Sequence, residues 1–221
     1  MLAAVESVRG AAAASIVIGT HPSIFALLKQ ELAAFEDEFP DRPLSMDFDC
    51  FIVEQVALAF SEGRADLALF YALGETRSVA SQKLWSEGWS LFVGRTHPLA
   101  SRQVVRLEDI AQEALLLSSP TNRLRLLLDT CLVQGGLGNL QVAAELDDHA
   151  GLVQRCRAGE GILPLFGPTA AQTAVMPGIR RLAYAGRIPP IDVRCAVHPK
   201  SEADESVQAL AEIIRRGTES I

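Results

Sequence analysis

The sequence predicts an α/β protein built as two Rossmann-like lobes joined by a two-strand hinge. Three observations lead there. Short β-branched or apolar runs alternate with stretches of helical period along the chain. That alternation occurs twice, once before and once after the run Trp89-Ser-Leu-Phe-Val-Gly94. A Pro189-Pro190 pair then precedes a late apolar strand, as a return crossing requires. The 221 residues suffice for two lobes of about 100 each, and the 49% apolar content is ample for packed cores.

In the first lobe, Ile16–Ile18 is a short strand closing at Gly19-Thr20. Ile24, Leu28, Leu32, Phe35 and Phe39 recur every three or four residues, so residues 22–39 read as one amphipathic helix. Pro22 suits its first turn, Thr20 or His21 can cap it, and Pro40 ends it. Leu44, Met46, Phe48 and Cys50 alternate with polar residues, a strand period of two. Ile52, Val53, Val56 and Phe60 mark a second helix ending near Gly63, and Asp66–Tyr71 a third strand. Such a β-α-β-α-β run implies a parallel sheet covered by helices. In the second lobe, residues 114–117, 140–144 and 162–166 read as strands, and 124–132 and 149–158 as helices, with a short helix after Pro168. Strands at 179–183 and 193–197 follow. The closing helix carries Val207, Leu210, Ala211 and Ile214 on one face. Asp204 and Glu205 at its start and Arg215-Arg216 at its end match the helix dipole. The expected boundaries are 15–89 with 193–221 for the first lobe and 90–192 for the second.

Composition narrows the function classes. A net charge of −7 makes the chain by itself a poor nucleic-acid binder, because phosphate contacts need a cationic face. The four cysteines form no Cys-x-x-Cys pair, and no His lies at zinc-ligand spacing, so buried free thiols are expected and no metal. No apolar run approaches the ~20 residues that span a bilayer. Glu6 and Arg9 interrupt the stretch where a signal peptide needs its apolar core, so a cytoplasmic protein is expected. There is no Gly-x-Ser-x-Gly elbow and no Walker loop, and Gly136-Leu-Gly138 follows a helix rather than a strand. Three of the four histidines precede proline, as turn residues do. No enzyme and no cofactor is expected.

Several segments, in order, resemble one family. These are the strand Ile16–Gly19 with a helix ending Glu38-Phe-Pro40, the stretch Phe60…Gly63…Asp66-Leu-Ala-Leu69, the turn His97-Pro-Leu-Ala100, and Leu152-Val-Gln-Arg-Cys-Arg-Ala-Gly159-Glu-Gly161-Ile-Leu-Pro164. Together, over roughly residues 12–216, they are similar to the effector-binding half of LysR-type transcriptional regulators. The resemblance implies a fold like type 2 periplasmic binding proteins and a homodimer or homotetramer. It also implies DNA binding only through an N-terminal winged helix-turn-helix, which these residues do not include; residues 1–14 are expected to be the end of its linker helix. Self-association is expected through the helix 52–60 or the strand 44–48, against the partner's second lobe.

A ligand in such a fold is expected between the lobes, at strand C-termini and helix N-termini. Thr20, His21 and Ser23 form the first corner. Thr20 can donate a hydroxyl hydrogen bond to an effector or simply cap the helix. Asp49, Cys50 and Phe51 form the second, where Asp49 argues against a strongly anionic ligand and Cys50 faces either the ligand or the core. Ser118, Ser119, Thr121 and Asn122 form the third, which doubles as a capping loop. His149 enters a fourth, after Asp147-Asp148. Tyr71 and Phe166, with Phe70 and Gly167, end strands beside these corners. The expected function is therefore sensing of a small metabolite such as a carboxylate. The alternatives are a solute-binding protein of a transport system and a small transferase or synthase.

Overall fold

The computed structural model describes residues 15–139 and 141–219. The linker expectation for residues 1–14 and the strand start at Leu140 lie outside them. The chain divides into two compact units, one running to Trp85 and resuming at Asp192, the other Ser86–Ile191.

The first unit is a five-stranded sheet. Strands β1 (Ile16–Thr20), β2 (Leu44–Asp47) and β3 (Leu67–Ala72) pair in parallel in the order β2-β1-β3. The β4 strand (Gln82–Glu87) and, late in the chain, β10 (Ile191–Val197) complete it as β2-β1-β3-β10-β4, with β10 antiparallel to β3. Between β1 and β2 the expected single helix is two, α1 (Pro22–Leu27) and α2 (Lys29–Glu38). The break is at Leu28, whose backbone leaves helical geometry (φ −104°, ψ 15°) while its side chain stays fully buried. Helix α3 (Val53–Ser61) links β2 to β3 and seats Val56 and Ala59 on Ala68, Phe70 and Ala196.

In the second unit β5 (Trp89–Gly94) follows directly, then a short α4 (Leu107–Ile110). Strand β6 (Ala114–Leu117), α5 (Arg123–Gln134), β7 (Gln141–Glu145), α6 (His149–Arg157) and β8 (Leu163–Phe166) repeat the first unit's β-α-β-α-β path. After α7 (Gly167–Ala174), β9 (Ile179–Arg181) forms the far edge. Antiparallel β8-β5-β9 form one sheet and parallel β6-β7 a second, and an isolated parallel bridge Leu115–Ile162 sets β6 beside the start of β8. The two units thus share one strand plan, with an antiparallel fourth strand in each. They share a helix stop as well. Gly63 (φ 68°) after α3 and Gly159 (φ 81°) after α6 adopt the left-handed turn, and the next N–H reaches back five residues, Arg64 to Ala59 O (2.8 Å) and Glu160 to Arg155 O (3.2 Å). The last helix, α8 (Glu205–Thr218), buries Val207, Leu210, Ala211 and Ile214 and packs on α2. No helix among the described residues is long and apolar enough to cross a membrane.

Candidate functional site

Parallel strands β1, β2 and β3 point their C-terminal ends the same way, so Thr20-His21, the turn after Asp47 and Tyr71 gather at one corner of the first unit. Strand β2 stops before Phe48, short of the expected run to Cys50. Asp47 turns the chain, its Oδ1 accepting from Asp49 N at 3.0 Å, and Phe48 is left 41% exposed. Cys50 then points inward. It is buried, its Sγ fills the space beside Gly19, and burial followed by the nearby Asp47 pushes its thiol up to about 11. Phe51 is fixed from both sides of its peptide: its carbonyl accepts from Tyr71 N (2.9 Å), and its N–H donates to Gln55 Oε1 (3.2 Å). The same oxygen accepts from Ile52 N (3.2 Å), the reciprocal half of a capping box that an apolar Ile52 cannot complete. Sequence reasoning missed Gln55. The signal was its position three residues into a helix.

His21 caps α1. Its Nδ1 accepts from Ser23 N at 3.2 Å, with Pro22 at the first helical position. Its ring sits 4.9 Å from Phe51, edge-on at 73°, and 5.6 Å from Tyr71. Burial lowers the imidazole to about 4, so it is neutral near pH 7. Because Nδ1 accepts a backbone N–H, the ring proton is on Nε2. Thr20 is buried, and its hydroxyl reaches His21 O only at 3.5 Å. Arg64, the cation next to this corner, is ion-paired to Asp47 (2.7 Å) and Glu62 (2.6 Å).

The second unit builds corresponding corners at the ends of β6, β7 and β8. Asn122 caps α5 through Leu124 N (3.0 Å), and the hydroxyls of Ser119 and Thr121 bond each other at 2.8 Å. Arg125 anchors this loop by donating to Ser118 O, and pairs with Asp129 and Glu145, both at 2.8 Å. Asp148 caps α6 at Ala150 N and Gly151 N, both 3.0 Å. His149 lies beside it with Nε2 3.4 Å from the Thr173 hydroxyl, and burial lowers its imidazole. Phe166 packs on Trp89, ring centroids 4.8 Å apart. The structure therefore brings Thr20, His21, Ser23, Cys50, Phe51 and Tyr71 to one corner. Asp49 is on its exposed turn. Ser118, Ser119, Thr121 and Asn122 share one loop, with His149 and Phe166 on other elements of that unit. A cavity of about 820 Å³ in the first unit lies elsewhere, lined among others by Phe60, Val79, Cys195, Lys200 and Arg215. Among the described residues no cluster of His, Cys, Asp and Glu could hold a metal ion.

Comparison with known proteins gives a consistent set of likenesses. Residues 9–219 match the family described as the LysR substrate binding domain. A curated relative, the uncharacterized HTH-type transcriptional regulator YybE of Bacillus subtilis (strain 168), is 30% identical over 105 residues. That match takes in 47% of this chain and spans about a third, 35%, of the relative's length. Among solved structures, the full-length BenM E226K mutant superposes with a TM-score of 0.77 at 20% identity, covering 96% of this chain and 70% of that one. The BenM effector binding domain with its effector benzoate gives 0.72 at 21% identity, covering 91% and 90%.

Proposed function

Because this chain belongs to the LysR substrate-binding domain family, we propose that it is the sensing domain of a transcriptional regulator, binding a small carboxylate and passing that state to a DNA-binding domain. Ligands of open α/β sheets bind outside the carboxyl ends of the strands. The observation that carries the reading is the corner at the ends of β1, β2 and β3, where His21 keeps a hydrogen-bond donor beside the Phe51 ring. The hydroxyl-rich loop after β6 supports a matching role for Ser118, Ser119 and Thr121 in the second unit. The transport reading is not retained, since the family matched is that of regulators. On this reading the protein works in the cytoplasm, reaches DNA through a helix-turn-helix domain, and self-associates as a dimer or tetramer. The exposed Leu58 of α3 (53%) and Phe48 beyond edge strand β2 support self-association there.

A thermal-shift screen of small carboxylates and neutral metabolites tests the proposal. Stabilisation by a hit should shrink in Thr20→Val or Ser118→Ala. Undiminished stabilisation in both variants contradicts the assigned corners, and no hit from a broad set contradicts sensing itself.

A further inference from the structure

The second unit carries its cations as arginine alone: ten Arg, no Lys and nine Asp plus Glu lie between Ser86 and Ile191. Several of these arginines gather at one end of the β8-β5-β9 sheet, where β5 ends and β9 begins. There Val93 lies opposite Arg180 and Gly94 opposite Ile179, and Arg95 N donates to Gly178 O at 3.0 Å. Side chains alternate along a strand, so Arg95 and Arg180 project from the same face. They line one pocket of about 430 Å³ with Ala100, Ser101 and Ile179. The pocket is at the opposite end of these strands from the candidate corners. Trp89 pairs with Phe166 and Phe92 with Leu163, so Arg95 lies beyond the start of β8, whereas Phe166 ends it.

The carboxylates around this end are engaged elsewhere. Asp109 accepts from Arg106 N (2.9 Å) and reaches Arg102 at 3.8 Å, Glu113 faces His97 Nε2 at 3.4 Å, and Glu160 pairs with Arg155 at 2.8 Å. Among the described residues, no carboxylate pairs with Arg95, Arg157 or Arg180. Arg157 is in the last turn of α6, where the helix dipole accounts for a cation. Arg95 and Arg180 have no such reason to be where they are. Two like charges on one pocket repel, and an anion between them removes that repulsion. Backbone carbonyls hold the neighbouring guanidiniums in place. Arg180 Nη2 donates to Arg102 O at 3.4 Å and Arg157 Nε to Pro177 O at 3.0 Å, while a Cβ at Gly178 would lie 3.7 Å from the Arg157 stem. One guanidinium fork satisfies a carboxylate, whereas two forks on one pocket match the three oxygens and two charges of a terminal phosphate.

We propose that Arg95 and Arg180, with Arg157 on the flank, form an anion site for a terminal phosphate group carrying two negative charges, free or esterified to a small metabolite. The site is separate from the sensing corners and does not rest on the function proposed for them.

Amide chemical-shift titration of the ¹⁵N-labelled 221-residue protein near pH 7 tests it, with methyl phosphate, inorganic phosphate, dimethyl phosphate and acetate as probes. Methyl phosphate is mostly doubly charged there, its second pKa being about 6. Dimethyl phosphate and acetate carry one charge. Saturable shifts should centre on Arg95, Ser101, Gly178 and Arg180 with methyl or inorganic phosphate, and the tighter of the two identifies an esterified or a free source. Dimethyl phosphate and acetate should bind about tenfold or more weakly. Arg95→Gln combined with Arg180→Gln should weaken methyl phosphate at least about tenfold. It should leave the melting temperature within about two degrees, since both side chains are exposed and neither has an ion pair among the described residues. Arg77→Gln combined with Arg187→Gln removes the same charge from exposed arginines elsewhere and should leave binding unchanged. Equal loss in the two double variants means general charge attraction and overturns the site. So do shifts centred on Thr20 or Ser118 instead, and so does the absence of saturable shifts with both methyl and inorganic phosphate. Dimethyl phosphate binding as tightly as methyl phosphate points to a nucleic-acid backbone and overturns the ligand class.

Discussion

The tightest contact behind the candidate corner is between Gly19 and Cys50, and a double-mutant cycle there tests how the corner is held. A Cβ added at Gly19 would lie 2.5 Å from Cys50 Sγ, 2.9 Å from its Cβ and 3.0 Å from its carbonyl oxygen. Carbon atoms rest about 3.5–4.0 Å apart, so the overlap with the thiol is on the order of 1 Å. Cys50 cannot swing away, since it is buried in a cluster with Val56, Ala59, Ala68 and Phe70. Gly19→Ala should therefore cost about 2–3 kcal/mol, as overpacked cores do. Cys50→Ala alone removes one buried atom and should cost about 1 kcal/mol. In the double variant the new methyl occupies the space the thiol left, so it should be less destabilised than the sum of the singles by about 1 kcal/mol or more. Trp85 is in the same unit as this pair and Trp89 in the other, so urea unfolding followed by fluorescence in a Trp89→Phe background reports the relevant unit. Additivity of the two singles within about 0.5 kcal/mol would refute the idea that Cys50 is a packing group seated on Gly19.

Other outcomes follow from the same geometry. Gly94→Ala aims a methyl at the carbonyl oxygens of Cys156 (2.4 Å) and Arg157 (2.6 Å), backbone that cannot rotate away. It should cost about 3 kcal/mol or more, read as a lowered unfolding midpoint. Phe35, fully buried and stacked on Phe39 at 4.8 Å, should cost about 3–5 kcal/mol when cut to Ala. Two acid windows should separate by pH titration of stability. The His21 imidazole is held below its ordinary 6.5, at about 4, so its contribution is complete above pH 6.5 and is lost as pH falls to about 4; His21→Asn should flatten that window. The Asp204 carboxyl is lowered to about 2, by Ser206 first and then Arg42, so its contribution is complete above about pH 4 and is lost only as pH falls toward 2. Asp204→Asn should flatten this lower window alone.

How much of this was legible in the sequence depended on the strength of the local pattern. Strands β1, β3 and β6 are continuous apolar runs, and helices α3, α5 and α8 carry clear 3.6-residue periods, so each was read near its observed bounds. Strand β4 was not read, because Gln82-Lys-Leu-Trp-Ser-Glu87 shows little alternation and its ends are polar. The break between α1 and α2 was invisible since Leu28 is a good helix former; packing of its fully buried side chain, not propensity, accompanies the change of direction. At the corner, His21 and Phe51 were flagged by their places between a strand and the start of the helix that follows it. That the two rings meet follows from the parallel register of β1 with β2 and β3, which no local pattern encodes. That Nε2 of His97 faces the Glu113 carboxylate and that of His198 meets Phe60 O depends on what lies across each unit, and their His-Pro pairs look alike in sequence.

We propose that this domain senses a small ligand at the β1–β2–β3 corner. Its most direct test is amide chemical-shift mapping of the ¹⁵N-labelled protein on adding benzoate. The largest shifts in the first unit should fall on Thr20, His21, Ser23 and Phe51. Largest shifts instead around Phe60, Val79, Lys200 and Arg215, the lining of the 820 Å³ cavity, would contradict the account.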